Sequence, residues 1–86
     1  DQEQRLYNKE VASLVHRALV TLDERESLII RNRFGLLGGN ELTLEEIGRS
    51  YQLSRERVRQ IEVQGLKKMQ RYVEARLYAR ALRDTG

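Results

Sequence analysis

The sequence predicts an all-α fold, a small bundle of about four helices, and three observations carry that expectation. The 86 residues contain no proline, and Leu, Arg, Glu and Ala abound, a composition that suits uninterrupted helix. Apolar residues recur at spacings of three and four rather than two. Helix-start signatures, an Asp or Thr followed three residues later by Glu, stand before the apolar runs. The length allows one domain, residues 1–86, and not two. Because the chain begins with Asp rather than Met, we expect it to be a piece of a longer protein.

The first helix is expected over about residues 4–20. Leu6, Val11, Leu14, Val15, Ala18 and Leu19 form one apolar face. The second opens at Asp23, where Asp23 and Glu26 make a capping box and Asp23, Glu24 and Glu26 favour the positive end of the helix dipole. Leu28, Ile29 and Phe34 are expected to supply its buried side, and Gly35 to end it in the left-handed conformation. The loop Gly35-Leu36-Leu37-Gly38-Gly39-Asn40 follows. Its leucines are expected to fold back on the core or to dock a partner. It is not a phosphate cradle, since no strand precedes it and no Lys-Ser/Thr follows the glycines.

The third helix starts at Thr43, where Thr43-Leu44-Glu45-Glu46 is a second capping box. It is short, ending near Ser50, and Tyr51-Gln52-Leu53 connects it to the next. The fourth opens at the N-cap Ser54 and runs to about Arg83. Only Gly65 weakens it, by about 1 kcal/mol relative to alanine, so tertiary packing must offset that glycine.

Charge is unevenly placed. Lys and Arg number 16 against 13 Asp and Glu, a formal net charge of +3. Residues 1–53 carry 7 basic and 9 acidic side chains, and residues 54–86 carry 9 basic and 4 acidic. A basic second half suggests a surface built for a polyanion. Other classes are excluded. Without cysteine there is no disulfide scaffold, thiolate zinc site or cysteine nucleophile. The single His16 supports neither a metal cage nor a triad. Glu45 and Glu46 are adjacent on a helix and diverge, so they are no acid–base pair. The four tyrosines, Tyr7, Tyr51, Tyr72 and Tyr78, are too scattered for a base-stacking platform. No apolar run of about 18 residues could span a membrane, and no signal peptide is visible. The chain is expected to be no enzyme and to need no cofactor.

The stretch from about residue 44 to 63 carries function. Ile47, Tyr51, Leu53, Val58 and Ile61 are apolar, and Gly48 occupies the fifth place. That is the burial pattern of a helix-turn-helix, with Gly48 letting the second helix cross closely and Leu53 plugging the turn. Gln52 stands where glycine is usual. At 100° per residue, Glu56, Gln60, Val63 and Lys67 lie roughly opposite Val58. Arg59 flanks them and Arg55 sits in the first turn. Arg55, Glu56, Arg59 and Gln60 are residue types that read base edges: arginine forks onto guanine, glutamine pairs with adenine and glutamate accepts from cytosine.

Leu42-Thr43-Leu44-Glu45-Glu46-Ile47-Gly48, followed by Ser54-Arg55-Glu56-Arg57-Val58-Arg59-Gln60-Ile61-Glu62, resembles region 4 of a bacterial RNA polymerase sigma factor of the primary, sigma-70-like family. Arg31-Asn32-Arg33-Phe34-Gly35-Leu36 is similar to the end of the preceding helix there, and the resemblance covers about residues 19–72. It implies recognition of the −35 promoter element in double-stranded DNA, enabling transcription initiation. It implies base contacts from Arg55, Glu56, Arg59 and Gln60, and backbone contacts from Arg31, Arg33, Thr43, Leu44, Ser54 and Arg57. It further implies docking on the beta-subunit flap of the polymerase core through Ile29, Phe34, Leu36 and Leu37. An anti-sigma factor or a transcription activator is an implied further partner, the activator at Lys67 and Lys68, although Gln64 and Gln70 stand where charges are common. The implied location is a bacterial cytoplasm or a plastid. The tail from Tyr72 to Gly86 departs from the family and forms an extended basic amphipathic helix, which packs on the first helix, binds a partner or frays. Two other classes fit the same residues: an operator-binding domain that works without polymerase, and a pure interaction module that binds an inhibitor.

Overall fold

The computed structural model describes the backbone of residues 2–85 and the side chains of residues 9–84. Four helices follow one another: α1 (Gln2–Val20), α2 (Glu24–Phe34), α3 (Leu44–Tyr51) and α4 (Arg55–Thr85). Among the described residues there is no strand. The expected starts hold. Asp23 Oδ1 accepts from Glu26 N at 2.8 Å, and Asp23 N donates to Glu26 Oε1 at 3.1 Å. Thr43 and Glu46 exchange the same two bonds at 3.1 and 2.9 Å. Ser54 Oγ accepts from Arg57 N at 3.0 Å. Each cap satisfies donors that a helix start would otherwise leave open.

Helix ends differ slightly from expectation. Helix α3 includes Tyr51 and is closed by Gln52 in the left-handed conformation, φ 56°, whose N–H donates to Gly48 O. Glycine would enter that conformation without strain. Gly48 itself admits the turn, not the second helix: a Cβ there would stand 2.5 Å from the Leu53 carbonyl oxygen. Helix α4 continues past Arg83 to Thr85.

The core has two parts joined by α2. Ile29, Ile47, Val58 and Ile61 form one cluster, ringed by Leu42, Leu44, Tyr51 and Leu53. Leu19, Leu22 and Ile30 form the other, with Val15, Leu36 and Met69 against it. Two consecutive isoleucines thus bury into opposite clusters. This corrects the expected buried side of α2: Leu28 is only half-buried, and Phe34 is 47% exposed. A helix with neighbours on two sides needs apolar residues on both, which a one-face pattern does not reveal. On α1, Val15, Ala18 and Leu19 pack, Leu14 is half-buried and Val11 is exposed. The side chain of Leu6 lies outside the described residues.

Gly65 lets α2 and α4 approach. A Cβ at that position would lie 3.1 Å from Ile30 Cγ1 and 3.7 Å from Glu26 Cβ. Beside it, Lys68 Nζ donates to Glu26 Oε1 at 2.8 Å, and the Glu26 side chain is almost fully buried. Asn32 Nδ2 donates to Tyr51 OH at 3.2 Å and ties α2 to α3. The 50 Å long axis of the molecule is explained by α4, whose 31 residues span about 46 Å at 1.5 Å each. Of the outcomes open to the tail, the structure shows an unbroken helix that meets α1 near Met69 and then leaves Leu77, Tyr78 and Leu82 exposed.

Candidate nucleic-acid interface

The head of α4 is oriented by what it buries. Val58 and Ile61 are sealed in the core, which fixes the rotation of the helix and turns Arg55, Glu56, Arg59 and Gln60 outward, all exposed. A notch of about 250 Å³ between the start of α3 and this head is lined by Leu44, Arg55, Glu56 and Arg59. Within it Arg59 Nε donates to both oxygens of Glu56, at 3.2 and 3.0 Å, and Arg59 Nη2 donates to Oε1 at 2.6 Å. The Arg59 hydrogen bonds hold the Glu56 carboxyl below the usual carboxylate range, with help from the charge of Arg55 and a bond from Gln60. The same pairing pushes Arg59 further up.

Arg57 lies on a different side. Its Nη1 reaches Gln60 Oε1 at 3.4 Å, and it borders an open groove of about 580 Å³ with Arg25, Leu28, Tyr51, Ile61 and Gln64. Arg57 thus borders a different groove from Arg55, Glu56 and Arg59 while touching Gln60. Arg25 joins Arg57 there, and its place among Asp23, Glu24 and Glu26 hides it in the sequence. Only its position one turn before the buried Ile29 could have shown that it sits beside the core.

At the start of α3, the Thr43 N–H is taken by Glu46, so it is not open to a phosphate. That bond, the largest cause, and the Thr43 hydroxyl hold the Glu46 carboxyl below its ordinary value. The amides left by the capping box are those of Leu44 and Glu45, the first two of the helix. Arg31 and Arg33, expected at the DNA backbone, brace the loop with part of each guanidinium. Arg31 Nη2 donates to Leu37 O at 3.3 Å, and Arg33 Nη1 donates to Leu42 O at 3.2 Å. Arg33 Nε lies 3.3 Å from Glu62 Oε1 without pointing its hydrogen at it, an ion pair rather than a hydrogen bond. The Arg33 side chain remains 34% exposed.

The residues expected to dock on a flap divide. Phe34 and Leu37 are exposed, and Leu36 is half-buried against the second cluster. Ile29 is fully buried in the first cluster and cannot touch a partner, which corrects its inclusion. Leu37 has φ 49°, an uncommon value for a bulky residue. Its carbonyl receives Arg31, and its side chain faces out. Of the two lysines expected to meet an activator, Lys67 is exposed and has no partner among the described residues, while Lys68 is engaged with Glu26. Gln70 bonds Glu74 at 2.9 Å. No three His, Cys, Asp or Glu residues converge on a metal position among the described residues, and no described helix is long and apolar enough to cross a membrane.

A family model described as sigma-70, region 4 matches residues 18–71. RNA polymerase sigma factor SigA of Listeria monocytogenes is 51% identical over 51 residues, an alignment that covers 59% of this chain and 14% of that protein. The chain thus spans a small part of the relative it matches.

Proposed function

The chain belongs to the sigma-70 region 4 family, and from that premise we propose that it reads the −35 element of promoter DNA for an RNA polymerase in the cytoplasm of a bacterium. A single observation carries the reading: the head of a helix-turn-helix second helix presents Arg55, Glu56, Arg59 and Gln60 together, held outward by buried Val58 and Ile61. A helix head of this width enters the major groove, where arginine, glutamate and glutamine match distinct base edges. The free amides of Leu44 and Glu45, just past Thr43, take a phosphate on one side. Ser54 stands at the same edge, and Arg57, Arg33 and Arg31 neutralise backbone charge with the donors that the fold leaves them. These contacts set register, and the head sets sequence.

Docking on the polymerase core falls to Phe34, Leu37 and the exposed edge of Leu36, whose apolar area faces the beta-subunit flap. An activator meets Lys67, and an anti-sigma factor competes for these same surfaces. The test is retention of the chain on matched and scrambled −35 duplexes at one fixed low salt concentration, beside capture by the isolated beta flap. Preference for the matched duplex together with flap capture is expected. Duplex preference without flap capture would indicate an operator-binding regulator. Flap or inhibitor capture with no duplex preference would reduce the chain to an interaction module.

A further inference from the structure

We propose that the outer face of α4 pairs with the same face of a second copy of this chain, the two helices running antiparallel, with Lys67 of each copy against Glu74 of the other. The pairing needs no DNA and stands apart from promoter recognition. Val63, Leu66, Gln70, Val73 and Leu77 follow one another at spacings of three, four, three and four, the repeat that forms a seam between two supercoiled helices. Val63, Leu66, Gln70 and Leu77 are exposed and Val73 is half-buried. At 100° per residue the five gather on one side of α4, away from Val58, Ile61 and Gly65, which face the core. From Val63 to Leu77 the seam is about 21 Å long. A run of apolar residues held in register over four turns of a solvent face differs from single exposed leucines and marks a contact surface.

Charge selects the occupant and its direction. Lys67 and Glu74 border the seam on one side, seven residues apart, and both are exposed. With Leu66 laid against Leu77 of an antiparallel second copy, Lys67 comes beside Glu74 of the second copy, and the two-fold axis repeats the pair. The same register sets Arg59 against Asp84 of the second copy and Glu62 against Arg83 of the second copy. A parallel pairing would instead set Arg59, Arg80 and Asp84 each against its own duplicate, like charge on like. Gln70 falls near the axis, a polar seam residue of the kind that fixes register. It donates to Glu74 Oε1 at 2.9 Å, which leaves the other Glu74 oxygen for Lys67 of the second copy. A seam this short lies at the small end of specific interfaces, so the pairing is weak and concentration-dependent.

The experiment follows the 86-residue chain by sedimentation equilibrium over a range of concentrations, without DNA. The mean mass is expected to rise from that of one chain and to level off at two. The variants are Leu66→Lys, Lys67→Glu, Glu74→Lys and the double Lys67→Glu/Glu74→Lys. All three positions are exposed, so the fold is retained, which circular dichroism checks. Leu66→Lys and each single charge reversal should weaken association about tenfold or more. The double variant restores opposite charges across the axis and should return to within about threefold of the unaltered chain. The proposal is overturned if the unaltered chain keeps the mass of one chain at every concentration, or if it grows beyond two, because a two-fold seam closes on itself. It is overturned equally if the single reversals leave association unchanged, or if the double variant stays as weak as they are, since a parallel seam would pair Lys67 with Glu62 instead.

Discussion

Two ion pairs on the same helix look alike in length and differ in everything else. At the head of α4, Glu56 and Arg59 stand three residues apart on one exposed turn and meet at 2.6 Å. At its waist, Lys68 meets Glu26 at 2.8 Å across 42 residues of sequence, and the carboxylate there is buried. Water screens the first pair, so it contributes little to folding. The second compensates a carboxylate that has left water, so removing its partner is costly. Head and waist therefore differ along one helix: the waist holds the fold, and the head adds little to it.

The waist gives the largest effects. Ile30→Ala removes a fully buried side chain packed on Gly65. It should lower stability by about 3 kcal/mol in urea unfolding followed by circular dichroism. Lys68→Met should cost about 2 kcal/mol, less than a fully buried pair because Lys68 is itself half in solvent. Neither change should alter base preference among duplexes, once binding is measured at a temperature where the variants are folded. A shift in preference from either would break the separation of head and waist.

At the head the expectation is reversed. Arg55→Ala should leave the urea midpoint unchanged and lose about 1–3 kcal/mol against the matched duplex, with relaxed preference at one base pair. Arg57→Ala should weaken matched and scrambled duplexes about equally and reduce the slope of log affinity against log salt by about 1. Identical behaviour of the two variants in a fluorescence titration would refute the assignment of base reading to the outer face.

Acid gives the smallest effect. Glu46, held by the Thr43 N–H, and Glu56, held by Arg59, both titrate below ordinary carboxylates. A group depressed on folding contributes stability that is complete above the unfolded value, about 4.3, and lost as pH falls through the folded value. Both are exposed, so the contribution is small and salt-sensitive. Thermal midpoints should stay flat from about pH 7 to 5 and fall below about pH 4, and Glu46→Gln should make that acid limb shallower.

Much of this was legible in the residues because it is local. Capping boxes place both partners within four residues, so the starts of α2 and α3 could be read directly, as could the outward set at 55, 56, 59 and 60. What stayed hidden is what distant segments decide. Ile30 is buried because α1 and α4 cover the second side of α2, and no periodicity in α2 alone says so. Lys68 reads as a free cation until Glu26 is brought beside it. The bonds from Arg31 and Arg33 to the Leu37 and Leu42 carbonyls appear only once the loop folds beside them. The Glu56–Arg59 spacing was visible, but spacing does not tell whether two polar residues face a ligand separately or each other.

The neighbouring isoleucines of α2 have a last consequence. Ile29 belongs to one apolar cluster and Ile30 to the other, so neither half of this small protein owns its interior. Loosening α1 from α4 exposes the helix that the helix-turn-helix half leans on, and the converse holds equally. The molecule should melt as a keystone arch falls, in one event, with every spectroscopic probe reporting the same midpoint.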